Sequence, residues 1–544
     1  MTQMLELRPA TEHRRDFGGD ALPAVADVVV VGGGHNGLAC AAYLARAGRR
    51  VVLLEARDEV GGCASTVDAI GARVNICNCD HTMVLASGIV EELELGAYGL
   101  RYLDVDPMGI AMGWGDEPVF VHWRSIERTM DGLARTDPAA AAAYRRYLDV
   151  ALPAARLVQA VQQSRPSSLA IAASAGRRRL RGSATVLAWA RASLQDVLGS
   201  FGLPPWLIAA AHTNGPAVWG LAPDAPGSGL GALGFALRHL IGVARPAGGS
   251  GALPAALAAC ARQHGAQLIT GARVAGVQIR DGRVRGVRLA DGRSVRAPTV
   301  VTATDPRTVL VDWLDGVPAA ARLRARWAAV PAADGYESKL DAVSSALPGL
   351  RALERLPVDV LPADTRHVPT VLVSPTPAEQ VSAAAARHAG RVSDPPMLLL
   401  NVPSVLDPTL RPTSDTHLLS LEVLWTPYQV AGGWDDQSRP WSWLRRLASL
   451  GDPGLLAAVR DWRVMTPPDY EREFTMARGY APSFPGGAVA ALLGRQRELS
   501  RYRTPVAGLY LTGAGTFPGA GVWGASGRNT AAVILARRPD RLTW

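Results

Sequence analysis

Three glycines and an acid carry the first chemical signal in this chain. Gly32, Gly34 and Gly37 stand in the spacing G-x-G-x-x-G, directly after the valines Val28 to Val31 and at the head of an alanine-rich run. That spacing lets a chain turn tightly out of a strand, bring its backbone close to a pyrophosphate and pack the next helix closely on the sheet. The helix start at His35 and Asn36 then directs its N–H groups at the phosphates. A second apolar run, Val51 to Leu54, ends in Glu55, where a carboxylate can accept hydrogen bonds from an adenosine ribose. The competing reading is a glycine-rich turn in an ordinary strand-helix-strand unit.

Two further places concentrate reactive side chains. In Asn75-Ile-Cys-Asn-Cys-Asp-His81, a strand over Val74 to His81 would put Cys77, Cys79 and His81 on one face and Asn78 and Asp80 on the other. A metal would find three ligands there and no fourth nearby, so no metal is assigned. What remains is the lining of a ligand cavity, with His81 as proton acceptor or polar anchor, or a buried structural face. The other place is Lys339. Of 57 Lys and Arg residues it is the single lysine. An ammonium is compact and can lose its proton when buried, whereas a guanidinium stays charged and planar. Lys339 is therefore either retained for chemistry or a chance survivor on the surface.

The elements that must position these residues follow from pattern. Length 544 is too great for one ordinary core and implies two or three domains. From Asp137 to Gly220 the pattern is helical, broken at Pro153, Pro166 and Pro204, and reads as a cap inserted into the nucleotide-binding domain. That domain resumes near Arg245 with a helix to His264. A three-stranded meander follows, with turns at Asp281-Gly282 and Asp291-Gly292, then a return strand after Ala297. Gly229-x-Gly231-x-x-Gly234 repeats the dinucleotide spacing, but no strand precedes it and no acid follows before Asp281, so it is rejected.

Composition excludes more than it assigns. The net charge of +9 comes with no nucleic-acid-reading motif, and its arginine bias matches the Ala-, Gly- and Pro-rich usage of a GC-rich bacterial genome. Arg14-Arg15 stands ahead of no secretory apolar region, and no apolar stretch of membrane-spanning length occurs. Five cysteines make no disulfide framework, and the expected location is cytoplasmic. Arg177-Arg178-Arg179-Leu180-Arg181 reads as a solvated loop, with peripheral contact to an anionic membrane as the alternative. Oligomer formation is left open.

Glu55-Ala56-Arg57, followed by Gly61-Gly62-Cys63, resembles the extended FAD signature of the flavin amine oxidase and phytoene desaturase superfamily. The meander and the C-terminal segment Gly508 to Ala532 resemble the same superfamily. Within it the chain resembles the branch that includes the pyridine nucleotide-disulfide oxidoreductase domain proteins. The resemblance implies an α/β fold: a glutathione-reductase-like, Rossmann-like FAD-binding domain from 24–110, 245–305 and 500–544. A mixed α+β substrate domain is formed by the insertions 111–244 and 306–499, and 1–23 is an N-terminal arm. It implies FAD contacts at Gly61, Gly62 and Cys63, at the Val274 backbone, and at Gly513, Ala514, Gly521, Val522 and Trp523. It also implies that the Cys77 segment passes the active site and that Lys339 holds a water near flavin N5. Two positions depart from the pattern: Gly513-Ala514 replaces a common Gly-Asp, and Phe484-Pro485-Gly486-Gly487 stands where relatives often carry a His before Gly. The expected function is hydride transfer from a C–H bond, beside nitrogen or carbon, to flavin N5 in a dehydrogenase, desaturase or oxidase. A redox-neutral isomerase or desaturase, or a flavin-bound interaction protein without turnover, is the alternative. The expected substrate is a small, partly apolar molecule, with oxygen, a quinone or a carrier as electron acceptor.

Overall fold

A computed structural model describes residues 22–77, 79–163, 173, 176, 181–332, 334–435, 438–481, 484, 487–492 and 496–536. Arg14-Arg15, Asn78, Pro166, Arg177 to Leu180 and Pro485-Gly486 lie outside the described residues.

Short β-branched and leucine-rich runs build a five-stranded parallel sheet in the order Leu509–Leu511, Thr299–Thr302, Val28–Val31, Val51–Leu54, Gln267–Ile269. Val28–Val31 lies at its centre and is buried throughout, which is why it carries no polar residue on either face. Val28 and Val30 share a core with Leu38, Leu257 and Ile534, from the helices His35–Arg46, Ala252–Gln263 and Ala525–Leu535. Val29 and Val31 belong to the opposite cluster, with Val284, Val287 and Val295 of the meander. That meander is the antiparallel sheet Val274–Arg280, Arg283–Leu289, Ser294–Arg296. Its first turn has Asp281 at φ 54° and Gly282 at φ 66°, the pair of positive angles a two-residue hairpin turn demands.

The second large unit is a seven-stranded sheet ordered Val459–Met465, Tyr336–Ser344, His417–Thr426, Leu398–Asn401, Val371–Ser374, Gly109–Gly113, Phe120–His122. All its pairings are antiparallel except Val371–Ser374 with Gly109–Gly113. The chain enters this sheet at Gly109, two residues ahead of the expected boundary. It leaves and re-enters the first unit on adjacent strands, Tyr102–Asp104 paired with Ala244–Pro246.

Two expectations need correction. Pro153 does not break the cap: one helix runs through it from Pro138 to Gln163. The strand expected over Val74 to His81 ends at Asn75, where its hairpin partner Thr66–Ala69 begins, so Cys77, Cys79 and His81 share no strand face. The rejected glycine repeat runs from the 3-10 turn Ser228–Leu233 into the first residue of the helix Gly234–Ile241, with no strand before it.

Candidate active site

The dinucleotide turn is assembled from both ends of the first unit. Gly32 donates to the Leu54 carbonyl at 2.8 Å and takes φ 103°, which only glycine adopts without strain. A Cβ on Gly37 would lie 2.0 Å from the Gly32 carbonyl oxygen, so the helix sits as close to the turn as backbone permits. At Gly34 the situation is opposite: a Cβ would meet only the Gly62 Cα, at 4.0 Å, and otherwise open space. The Glu55 carboxylate accepts from the Gly33 N–H at 2.6 Å and the Arg57 N–H at 2.9 Å, which fixes its oxygens at the strand end. Gly61 bridges to Gly34, its N–H donating to the Gly33 carbonyl at 2.8 Å, and lays the second glycine pair along the first turn.

The helix His35–Arg46 has neither a side-chain cap nor an acid in its first turn. Its N–H groups are thus left for an anion, and the buried Asn36 Oδ1 has no partner. His35 stands beside the Gly521 backbone, which brings this helix start against the C-terminal glycine loop, and burial lowers its pKa to about 4. Gly527 in the last helix crosses Asn36 so closely that a Cβ there would be 2.1 Å from the Asn36 carbonyl oxygen. In that C-terminal segment Gly513 donates to Ser526 Oγ at 3.0 Å, and Ser526 Oγ also meets Thr512 and Thr516. Ala514 brings no polar side chain to the loop. Trp523 is buried and donates its indole N–H to the Ala520 carbonyl at 2.7 Å, folding Gly521 and Val522 over it. Ala56 and Val274 are half-buried at the strand-end loop and the first meander strand. Arg57 stacks on Phe474, 4.2 Å from the ring centre. An uncapped helix start, an open glycine face and a fixed carboxylate are what a dinucleotide of the FAD type requires, and these residues fit it.

A buried ionic row lies on the second sheet. Along Tyr336–Ser344 the period of two sets Glu337, Lys339 and Asp341 on one face, and the register puts Glu422 of the neighbouring strand directly across from Lys339. Lys339 is 1 % exposed, so it is no surface survivor. Its Nζ donates to the Asn75 carbonyl at 2.6 Å and to Asp341, which is also bridged by Arg463. The Asn75 contact joins the seven-stranded sheet to the hairpin that follows the second glycine pair. Burial raises the Glu337 carboxyl to about 7, against the pull of Lys339. Glu422 is pushed well above the usual carboxylate range by burial and by Glu337 beside it, and its Oε1 has no partner. Neither acid stands out in the sequence alone. A signal is present in Glu337-x-Lys339-x-Asp341, three charges at a strand's own period, but Glu422 is brought in only by long-range register.

His81 belongs to the first unit, near enough to His35 of the cradle helix that charge on the His35 ring disfavours charge on its own. Its ring is fully buried between the Tyr102 hydroxyl, 3.0 Å from Nδ1, and Ser250 Oγ, 3.2 Å from Nε2. Burial lowers its pKa to about 3, so it is a neutral ring with both nitrogens engaged inside the first unit. Cys79 is buried, whereas Cys63 and Cys77 are partly exposed. Among the described residues no group of three His, Cys, Asp or Glu side chains could hold a metal ion.

A nucleotide cradle on a parallel sheet, joined through the Asn75 carbonyl to a buried ionic row on a second sheet, fits a flavin-dependent oxidoreductase. Comparisons agree with that class. Residues 30–88 match the NAD(P)-binding Rossmann-like domain family and residues 125–333 the flavin containing amine oxidoreductase family. The chain is 30% identical over 558 residues to pyridine nucleotide-disulfide oxidoreductase domain-containing protein 2 of Mus musculus, covering 94% of this chain and 93% of the relative. It is 25% identical over 548 residues to one of the subunits of the limonene dehydrogenase of Castellaniella defragrans, covering 95% of this chain and 96% of that relative. A solved structure of a redesigned putrescine oxidase shares the fold at TM-score 0.59 and 17% identity, covering 94% of this chain and 99% of that one. The chain belongs to the pyridine nucleotide-disulfide oxidoreductase domain protein family, within the flavin amine oxidase and phytoene desaturase-like superfamily. It is an FAD-dependent oxidoreductase.

Proposed function

We propose that the enzyme dehydrogenates a small, partly apolar substrate at a C–C unit, with FAD in the cradle of Gly32, Gly34, Gly37 and Glu55 and with Lys339, Glu337 and Glu422 as the polar groups of the site. The observation that carries this reading is the bond from Lys339 Nζ to the Asn75 carbonyl, which ties the ionic row to the cradle's own hairpin. When bound, FAD supplies the hydride acceptor. Removing hydride from one carbon to form a double bond also requires loss of a proton from the next. Glu337 suits that task, because a carboxyl poised near neutral pH both accepts and releases a proton. Lys339 spends two of its three N–H donors on Asn75 and Asp341 and keeps one for an ordered water or an oxygen. Away from the charges the same sheet face carries Leu399, Leu372, Ala111 and Phe120, an apolar continuation that favours a hydrocarbon-like substrate. A relative named for limonene, a hydrocarbon without nitrogen, supports C–C over C–N oxidation.

The same reading makes the chain a bacterial, cytoplasmic protein. Its composition is that of a GC-rich genome, and all five cysteines are free thiols, as a reducing compartment keeps them. No helix among the described residues is long and apolar enough to cross a membrane. The test is anaerobic reduction of the purified flavoprotein with two substrate panels, terpenoid or polyene hydrocarbons and primary amines. Bleaching of the flavin by a hydrocarbon and not by amines is expected, and bleaching by amines alone overturns the C–C assignment. Reoxidation by oxygen, a soluble quinone or a protein carrier then identifies the acceptor.

A further inference from the structure

The helix Ser438–Ser449 covers the face of the seven-stranded sheet turned away from Leu399, Leu372 and Phe120. Its Trp443, Leu444 and Leu447 share a core with Leu398 and Leu400, whose side chains alternate with that of Leu399. Between this helix and the loop that leads into the strand Leu398–Asn401 lies a cavity of about 480 Å³. Arg439, Ser442, Arg446 and Ser449 line it at intervals of three or four residues, one stripe of the helix, and Arg445 flanks them. Arg446 is neutralised, because it pairs with Asp394 and lies over Trp114, 5.6 Å from the ring centre. Among the described residues Arg439 and Arg445 form no ion pair. Arg439 donates from Nη2 to the Ala431 carbonyl at 2.9 Å and keeps a buried Nε without a partner. Ser393 Oγ, on the loop side of the cavity, is also buried without a partner. Ser442 and Ser449 differ from it, since each gives its hydroxyl proton at 2.6 Å to a carbonyl of the helix. The helix has no acid in its first turn, so its positive end stands uncompensated beside Arg439.

We propose that this cavity binds a phosphate monoester, at a site separate from the flavin cradle and the substrate face. Two guanidinium groups without a carboxylate match the two charges of a monoester dianion. Their planar forks present paired N–H donors at the spacing of phosphate oxygens. The two buried polar atoms that lack partners, Arg439 Nε and Ser393 Oγ, both carry a hydrogen, and a phosphate oxygen is the acceptor each of them wants. The first turn of the helix adds its positive end and no competing acid. Trp443, Val392 and Pro396 supply an apolar wall for whatever group carries the phosphate, and the volume is that of a small-molecule site. Two sources share this chemistry, a soluble phosphorylated metabolite and the headgroup of a lipid that ends in phosphate. The assignment is independent of the substrate reading, since the sheet itself stands between the cavity and the apolar face that reading uses.

The test uses the full-length, FAD-loaded protein at constant ionic strength set with chloride. Glycerol 3-phosphate is titrated calorimetrically, and co-sedimentation is measured with vesicles of phosphatidylcholine alone and of phosphatidylcholine mixed with phosphatidic acid, which bears the same phosphate monoester. Binding of one glycerol 3-phosphate per chain, with a rise in the unfolding midpoint, is expected and identifies a soluble ligand. Sedimentation with the phosphatidic acid vesicles alone, and no heat from glycerol 3-phosphate, supports the site with a lipid as its source. In either arm Arg445→Gln should weaken binding by at least about tenfold, and Arg439→Gln likewise. Arg445 is exposed, so its variant keeps the fold. Ser393→Ala removes a buried hydroxyl that has no partner, so it should fold as well as the wild type and still bind about threefold more weakly. Flavin content, measured throughout, shows that the cradle is undisturbed. No response to either probe, or a response that Arg439→Gln, Arg445→Gln and Ser393→Ala all leave unchanged, overturns the proposal.

Discussion

At the scale of single residues, the deciding feature is how burial treats neighbouring charges. Lys339 keeps its partner Asp341, and Asp341 is held again by Arg463, so the positive end of the row is compensated. The acids beside it are not. Substituting Lys339→Arg preserves the charge but brings a longer, planar head into a site with no spare exposure. We expect flavin reduction or reoxidation to slow by at least about tenfold, roughly 1.4 kcal/mol of barrier, measured by stopped-flow absorbance in each half-reaction. Lys339→Met should in addition cost about 3–5 kcal/mol of stability, because the fully buried Asp341 loses its buried cation and keeps only the partly exposed Arg463. Glu337 makes a prediction of unusual sign. Its folded-state pKa, about 7, lies above its ordinary 4.5, so the folded protein binds the extra proton between those values. Stability from this group is therefore complete below pH 4.5, falls as pH rises through 7, and is level above that. Denaturant midpoints measured across this window should decline less steeply in Glu337→Gln than in the wild type. The remaining slope belongs in part to Glu422, whose shift has the same direction.

At the scale of elements, two glycines of one short motif do different physical jobs. Gly34 faces open space, and Gly37 faces the Gly32 carbonyl at 2.0 Å from where a Cβ would stand. Gly34→Val should fold with near wild-type stability in the absence of flavin yet fail to retain FAD, since its side chain fills the approach of the pyrophosphate. Gly37→Val should fail at folding itself. Circular dichroism melts of the apoproteins, set beside flavin content, separate the two, and a Gly34→Val protein that holds stoichiometric FAD would show that the pyrophosphate lies elsewhere. These elements were legible because their signals are local: an unbroken valine run, a glycine spacing, an acid at a strand end and positive-φ turns at Asp281-Gly282. The seven-stranded sheet was not legible. Its first strands, Gly109–Gly113 and Phe120–His122, are separated from Tyr336–Ser344 by the whole cap, and nothing within any one strand announces its partner. For the same reason Glu422 was invisible, and the reading of Cys77, Cys79 and His81 as one strand face failed where the hairpin partner ran out at Thr66. Pro153 misled because a helix supported by tertiary packing tolerates a proline that an isolated helix would not.

At the scale of the whole molecule, the two sheets are fastened through a second buried ion pair. Arg245, on the strand by which the chain re-enters the first unit, places Nε 2.7 Å from Asp80 Oδ1, with the side chains 4% and 6% exposed. Further guanidinium N–H groups donate to the Val368 carbonyl at 2.9 Å, Asn401 Oδ1 at 2.7 Å and Thr370 Oγ1 at 3.4 Å, and Thr370 Oγ1 donates to Asp80 Oδ2 at 2.5 Å. Asp80 and Arg245 thus come from the nucleotide-binding half, while Asn401 and Thr370 belong to the other sheet and its approach. Removing one member of such a pair strands a charge in a place without water, at a cost of about 3–5 kcal/mol, whereas removing both leaves only neutral groups to satisfy. Asp80→Leu and Arg245→Met should each lower the unfolding free energy by that amount. The double variant should recover much of the loss, although Asn401 and Thr370 then keep unmet hydrogen bonds and hold the recovery below complete. A double-mutant cycle on equilibrium unfolding measures the coupling. Additive losses would mean that the two halves are held together by their apolar contacts, with Arg245 and Asp80 as independent passengers.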